Sequence, residues 1–293
     1  MQPLTIFYAV LGIALLSAMD AAVKWVTLAD GLYNAVWLRY LFGALMVFPL
    51  LLLMRVPMPD RAGLKAHALR GLILTGTSLT FFYGISILPL AEAITLAFIA
   101  PLILPPLAAL MIGERMKGRV AVAAVAGFVG ALVTVWGAPA ENAAGNRTFA
   151  VISILVSATL YALQLLILRQ RAQRDHAMAV AALATVVPLL LLTPLALLFS
   201  APPHLSSLPA GLLSGFFGIS GILVLTWAYA KAEAQLLVVF EYTGLGFAAL
   251  FGWWVFSEVP RPQIWAGAAI IAGACLYISF AERRVPKQKQ SAF

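Results

Sequence analysis

The sequence predicts an all-α membrane protein: ten transmembrane helices in two inverted five-helix repeats around a central cavity. Three observations carry that prediction. The 293 residues are 63% apolar and only 10% charged, against roughly 45–50% and about 25% in soluble domains. So few charges cannot cover a soluble globule. Lys and Arg are segregated to alternate connections, and the two halves repeat short patterns in the same order. The composition also excludes disorder, a coiled coil and a collagen-like chain. A single cysteine, Cys275, excludes a disulfide scaffold.

A helix needs about 20 mostly apolar residues to cross the hydrocarbon core. The first such run, 4–28, carries two charges, Asp20 and Lys24. The opening Met-Gln-Pro-Leu lacks a basic n-region, and the run is long for a signal-peptide h-region, so it reads as an uncleaved first helix. The second run, 33–54, holds Arg39 within Trp37-Leu38-Arg39-Tyr40. The third, 69–88, follows a basic connection with Arg55, Arg61 and Lys65. The fourth, 91–112, opens with Ala91-Glu92-Ala93 and contains Pro101, Pro105 and Pro106. The fifth is 120–137. After the polar stretch 141–147 come 148–168, 177–200, 208–230, 236–257 and 263–281. Their continuous apolar character argues against a β-barrel. The connections are too short for a soluble domain, and the repeats occupy 1–140 and 145–285, followed by a tail, 286–293.

Orientation follows from the basic residues. With the N-terminus in the cytoplasm, fifteen of them fall inside: Arg55, Arg61, Lys65, Arg70, Arg115, Lys117, Arg119, Arg169, Arg171, Arg174, Lys231, Arg283, Arg284, Lys287 and Lys289. Only Arg147 and Arg261 fall in outer loops. Both termini are therefore expected in the cytoplasm. The same bias accounts for the net charge of +8 without a nucleic-acid partner.

The repeat shows in Leu16-Ser17-Ala18 and Val156-Ser157-Ala158, in Phe48-Pro49 and Val187-Pro188 each followed by four leucines, and in Ala91-Glu92-Ala93 and Ala232-Glu233-Ala234. Five spans per copy is an odd number, so the second copy enters the membrane upside down. Inverted repeats suit alternating access, because two pseudo-equivalent halves can exchange conformations around one central site.

The stretches that follow these Ala-Glu-Ala patterns contain Ala100-Pro101, Gly113-Glu114-Arg115, Glu241-Tyr242-Thr243 and Glu258-Val259-Pro260. With Arg39 in span two, these residues resemble the EamA branch of the drug/metabolite transporter superfamily over nearly the whole chain. One departure is Ser257-Glu258 where the closing motif has Gly-Glu. The resemblance implies a ten-helix metabolite transporter of a bacterial-type inner membrane, similar to bacterial exporters of amino acids, drugs and other small polar solutes.

Charges inside spans are costly and face a cavity or a partner. Asp20 and Lys24 are four apart and share a face. They are read either as a substrate-contacting or proton-linked pair, or as Lys24 snorkelling to the interface with Asp20 neutralising it. Their repeat counterparts are Leu160 and Gln164. Arg39 is expected to pair with Asp20 or Asp30, and Glu92 to cap the start of span four. Glu241 is a candidate for gating or coupling, while Glu114 and Glu258 read as loop anchors. Pro101 with Gly244 and Gly246 mark breaks at similar depth in spans four and nine, and are the hinge candidates. Tyr83, Tyr161, Trp227 and Tyr242 are the candidate aromatic lining, with Gln164 beside them; Tyr and Trp near span ends are otherwise interface anchors.

Gly218-Ile219-Ser220-Gly221 matches an intramembrane serine-protease pattern, but His67, His176 and His204 fall in predicted loops, so no base reaches Ser220. No His or Cys cluster suits a metal, no Walker loop is present, and no cofactor is expected. A channel would show a repeated pore ring, and none is visible. The expected partners are a small-molecule substrate, amino acids first and drugs or other metabolites as the alternative, and the lipid bilayer. A monomer is compatible with this reading.

Overall fold

The computed structural model describes residues 3–112, 118–137, 141–142, 145–171, 174–231 and 242–283. The helices are α1 (Pro3–Asp30), α2 (Leu32–Leu53), α3 (Arg61–Ile87), α4 (Leu90–Ala97), α5 (Ala100–Ile112) and α6 (Gly118–Val135), then α7 (Arg147–Arg171), α8 (Ala177–Phe199), α9 (Leu208–Lys231), α10 (Thr243–Phe256) and α11 (Pro262–Arg283). A 3-10 turn, Leu205–Ser207, precedes α9. The one ladder among the described residues pairs Glu141–Asn142 with Gly145–Asn146.

Among the described residues, seven stretches are long and apolar enough to cross a bilayer: most of α1, α2, α3, the α4–α5 stretch, most of α7 and α8, and the 3-10 turn with most of α9. Ala121–Val135, Thr243–Phe256 and Pro262–Tyr277 are shorter apolar helices. Large apolar side chains such as Leu53, Leu110, Leu197 and Trp254 point outward around the bundle. That is the surface of a multi-pass membrane protein, whose solvent is lipid.

In the third apolar run the helix starts earlier than predicted. Asp60 is the N-cap of α3, its carboxylate accepting from the Gly63 N–H at 2.7 Å. Helix therefore begins at Arg61; His67, read from sequence as a loop residue, and Arg70, read at the cytoplasmic start of the span, both sit on it and are buried.

The fourth run is two helices. Pro101 has no N–H to donate to Ala97 and crowds the preceding turn, so α4 stops at Ala97 and α5 starts at Ala100. Phe98 and Ile99 between them still donate backwards, to Ile94 and Leu96.

Packing pairs the two halves of the chain. α1 runs along α9, α3 along α7, α2 against α8 and α9, α6 along α11, and α10 against α4 and α1. Close approaches use glycine. A Cβ on Gly221 would lie 3.1 Å from the Gly12 carbonyl oxygen, and one on Gly267 would lie 2.6 Å from that of Gly130. Small residues at such crossings are how helices associate in lipid, where no hydrophobic force separates them from their solvent.

Two ends can be distinguished. At the Asp30 end lie the α1–α2 connection (Gly31, φ 84°), the start of α4 and the starts of α7 and α11. At the Asp60 end lie the α2–α3 and α7–α8 connections, tied by His67 Nε2 to Asp175 Oδ2 at 2.9 Å.

Candidate substrate site

The interior charges sort into two groups. The first closes the Asp30 end. Lys24 is 3% exposed, donates to the Leu88 carbonyl at 2.8 Å, forms an ion pair with Glu258, and sits 5.0 Å from the Phe256 ring centroid. The other Glu258 oxygen accepts the Leu90 N–H at 2.7 Å. Local backbone puts Glu258 there: α10 ends with Ser257 in the left-handed region at φ 56°, and the Glu258 N–H turns back to the Gly252 carbonyl at 3.0 Å.

The predicted Asp20–Lys24 partnership is thus corrected. The i,i+4 spacing puts both on one side of α1, but a carboxylate 234 residues away takes the ammonium. Snorkelling is corrected too, since Lys24 is buried against protein. Glu258 is the anchor the sequence predicted.

Beside this knot, Glu92 is fully buried in the first turn of α4, where its charge also favours the helix N-terminus. It forms an ion pair with Arg147, and Arg261 Nη2 lies 3.5 Å from its second oxygen. Arg261 also donates to the Trp136 and Thr134 carbonyls at 3.2 and 3.3 Å, at the end of α6. Arg147 and Arg261, read as outer-loop charges, therefore hold four elements together. Asp30 pairs with His204 and not with Arg39.

The second group lies deeper, among α1, α2, α3 and α7. Asp20 is buried and within electrostatic range of Arg39. Arg39 forms no ion pair within 4 Å among the described residues; it lies 4.6 Å from the Tyr40 ring centroid and 5.6 Å from that of Phe82, donates Nε to Met19 Sδ at 3.1 Å, and leaves Nη1 without an acceptor. Tyr40 and Ser78 share a hydrogen bond of 2.7 Å. Arg70, 8% exposed, donates Nε to Gln164 Oε1 at 2.9 Å, and its Nη1 also lacks an acceptor. The hydroxyls of Tyr161 and Tyr40 are within its electrostatic range. A charged residue at the centre of a lipid-embedded helix costs roughly 3 kcal/mol, and these two arginines keep donors that the described residues leave without acceptors.

Of the predicted site residues, the structure brings Asp20, Tyr161 and Gln164 into or beside this group. Tyr161 is 45% exposed on α7. Tyr83 packs edge-on against Phe149 of α7, centroids 5.3 Å apart, and Trp227 against Tyr8, 4.5 Å apart and near the ends of their helices. Tyr242 packs edge-on against Phe98, centroids 5.3 Å apart. That contact joins the start of α10 to the break between α4 and α5. Gly244 belongs to the same junction, its Cβ direction meeting Ile13 at 3.3 Å and Phe98 at 3.7 Å, whereas Gly246 faces open space and no neighbour requires a glycine there. Glu241, Glu114 and Glu233 lie outside the described residues. Arg70, Tyr40 and Ser78 were not singled out from sequence as site residues; the signal for Arg70 was the Asp60 cap, which starts the helix at Arg61 and so moves Arg70 from its edge into its interior.

Buried, partly unpaired charges within a bundle of apolar helices are the pattern expected of a membrane transporter. The chain belongs to the EamA-like transporter family, whose sequence profile matches residues 3–136 and again 148–280. It is 29% identical over 275 residues, 94% of this chain and 95% of the relative, to the pseudopaline exporter CntI of Pseudomonas aeruginosa (strain UCBPP-PA14). It is 28% identical over 279 residues to a riboflavin transporter of Rhizobium johnstonii, covering 92% of this chain and 88% of the relative. It is 22% identical over 273 residues, 93% and 92% of the two chains, to an S-adenosylmethionine uptake transporter of Rickettsia bellii. A solved crystal structure, matched over 98% of this chain and 100% of its own at 21% identity, shares the fold with a TM-score of 0.64. The family and these relatives are membrane transporters, not enzymes.

Proposed function

We propose that the chain is a ten-span secondary transporter that exports amino acids and related zwitterions by alternating access across a bacterial-type inner membrane, with both termini in the cytoplasm. The observation that carries the substrate class is the deeper group: a buried carboxylate, Asp20, and two arginines with open donors, Arg39 and Arg70, among α1, α2, α3 and α7. A zwitterion needs both signs of charge in one site.

The inverted-repeat reading is supported by the packing. If each span maps onto the one five later, α1 against α9 becomes α7 against α3, and the pairs α2–α8 and α6–α11 map onto themselves; all are contacts of this structure. The two matches to the family profile support repeats at 1–140 and 145–285. The basic-residue count supports the orientation. Export is supported by one relative and uptake by another, so direction rests on the resemblance to exporters.

The test is uptake into liposomes holding the purified protein, using a panel of labelled amino acids with and without a pH gradient. Saturable, protein-dependent uptake of at least one amino acid is expected. Riboflavin or S-adenosylmethionine moving while every amino acid fails would replace this reading with that of a different metabolite carrier, the reading that two relatives favour.

A further inference from the structure

We propose that Arg70, oriented by Gln164, is the subsite that takes the carboxylate of the transported molecule. The proposal rests on the transport reading above and names the group that meets one end of the substrate. Arg70 is more than nine-tenths buried, and so is Gln164. Their hydrogen bond of 2.9 Å uses the Nε edge and fixes the plane of the guanidinium. What remains is Nη1, a buried donor with no acceptor.

No acidic group pairs with Arg70 within 4 Å among the described residues. The other buried cations differ: Lys24 has Glu258, and Arg147 has Glu92. Arg39, half-buried, has aromatic faces on two sides and Asp20 within electrostatic range. The hydroxyls of Tyr161 and Tyr40 are within electrostatic range of Arg70, and Tyr40 shares a hydrogen bond with Ser78.

A fixed, planar, uncompensated guanidinium in a low-dielectric interior selects an oxygen anion that accepts from its fork. One uncompensated cation matches a monoanion, and in a zwitterionic amino acid that monoanion is the carboxylate; a phosphate dianion would leave a buried negative charge behind. The placement also suits transport. Arg70 is on α3 of the first half and Gln164 on α7 of the second. A ligand held there touches both halves and feels their relative movement.

The test uses the purified full chain and three probes of one size: L-phenylalanine, 3-phenylpropionate, which lacks the ammonium, and phenethylamine, which lacks the carboxylate. Binding is read by calorimetry and by ligand-induced thermal stabilisation. In the parent protein the two carboxylate probes should bind. Arg70→Gln should weaken both by roughly tenfold or more, as expected for losing a hydrogen bond to a charged group, and should leave phenethylamine unchanged. Gln164→Glu supplies an internal carboxylate in place of the ligand's. It should raise thermal stability while abolishing binding of 3-phenylpropionate, so the proposal stays testable if Arg70→Gln folds poorly. Undiminished binding of 3-phenylpropionate by either variant would overturn the subsite, as would a parent protein that binds phenethylamine but neither carboxylate. If carboxylate binding depends on Arg70 yet no amino acid is moved in liposomes, the subsite stands and the amino-acid reading falls.

Discussion

Glu92→Gln is expected to lower the stability of the protein by on the order of 4 kcal/mol, the cost of leaving a buried charge without its partner. Glu92 has no exposed surface, and Arg147, which it pairs with, is itself buried. If Glu92 served only as a charge in the first turn of α4, the loss would be roughly 0.3–1 kcal/mol. The two accounts therefore separate cleanly. The thermal midpoint of the purified variant in the same detergent should fall by roughly 10 °C. A fall of only a degree or two would assign Glu92 to capping and leave Arg147 without a structural role.

Lys24→Met is expected to destabilise as well, by about 3 kcal/mol. The reason for the smaller figure is that Glu258 is 20% exposed and can recover water. Lys24 is already held by Glu258 and by the Leu88 carbonyl, so affinity for a carboxylate ligand should be unchanged. Adding Glu258→Gln should restore part of the stability, because an amide oxygen can still accept the Leu90 N–H and no unpaired acid remains. Thermal midpoints and binding measured on the same samples check both points. A variant with parental stability and lost binding would return Lys24 to the substrate site.

These two ion-pair knots also show where the sequence was legible and where it was not. The break in span four was readable at Pro101, because a missing N–H is a local fact. The packing of Gly244 beside Phe98 was not readable, because similar depth in two spans does not say that they touch. The partner of Lys24 was not readable, since Asp20 is near in sequence and Glu258 is near only in the fold. The early start of α3 was missed for another reason. A hydropathy window finds the part of a helix that lies in lipid, and the polar residues Arg61, Lys65 and His67 hid its first turns, although the Asp60 cap announced them.

The departure at Ser257 has a physical meaning as well. The position adopts φ 56°, where glycine is at no disadvantage and serine is strained. The chain keeps that turn because it aims Glu258 at Lys24.

In this conformation the Asp30 end is fastened by Lys24–Glu258 and by Glu92 with Arg147 and Arg261. On the proposed inverted repeat, the positions equivalent to Lys24 and Arg147 are Gln164 and Phe7, which are neutral. Alternating access requires the ionic end to open as the other closes. The most direct measurement is of distances between spin labels at both ends, in a background where Cys275 is replaced. One pair, at Trp136 and Leu205, reports the Asp30 end, and the other, at Met58 and His176, the Asp60 end; all four positions are exposed. With and without a transported substrate, the two distances should change in opposite directions. Distances that stay fixed during transport, or that lengthen together, would contradict the account.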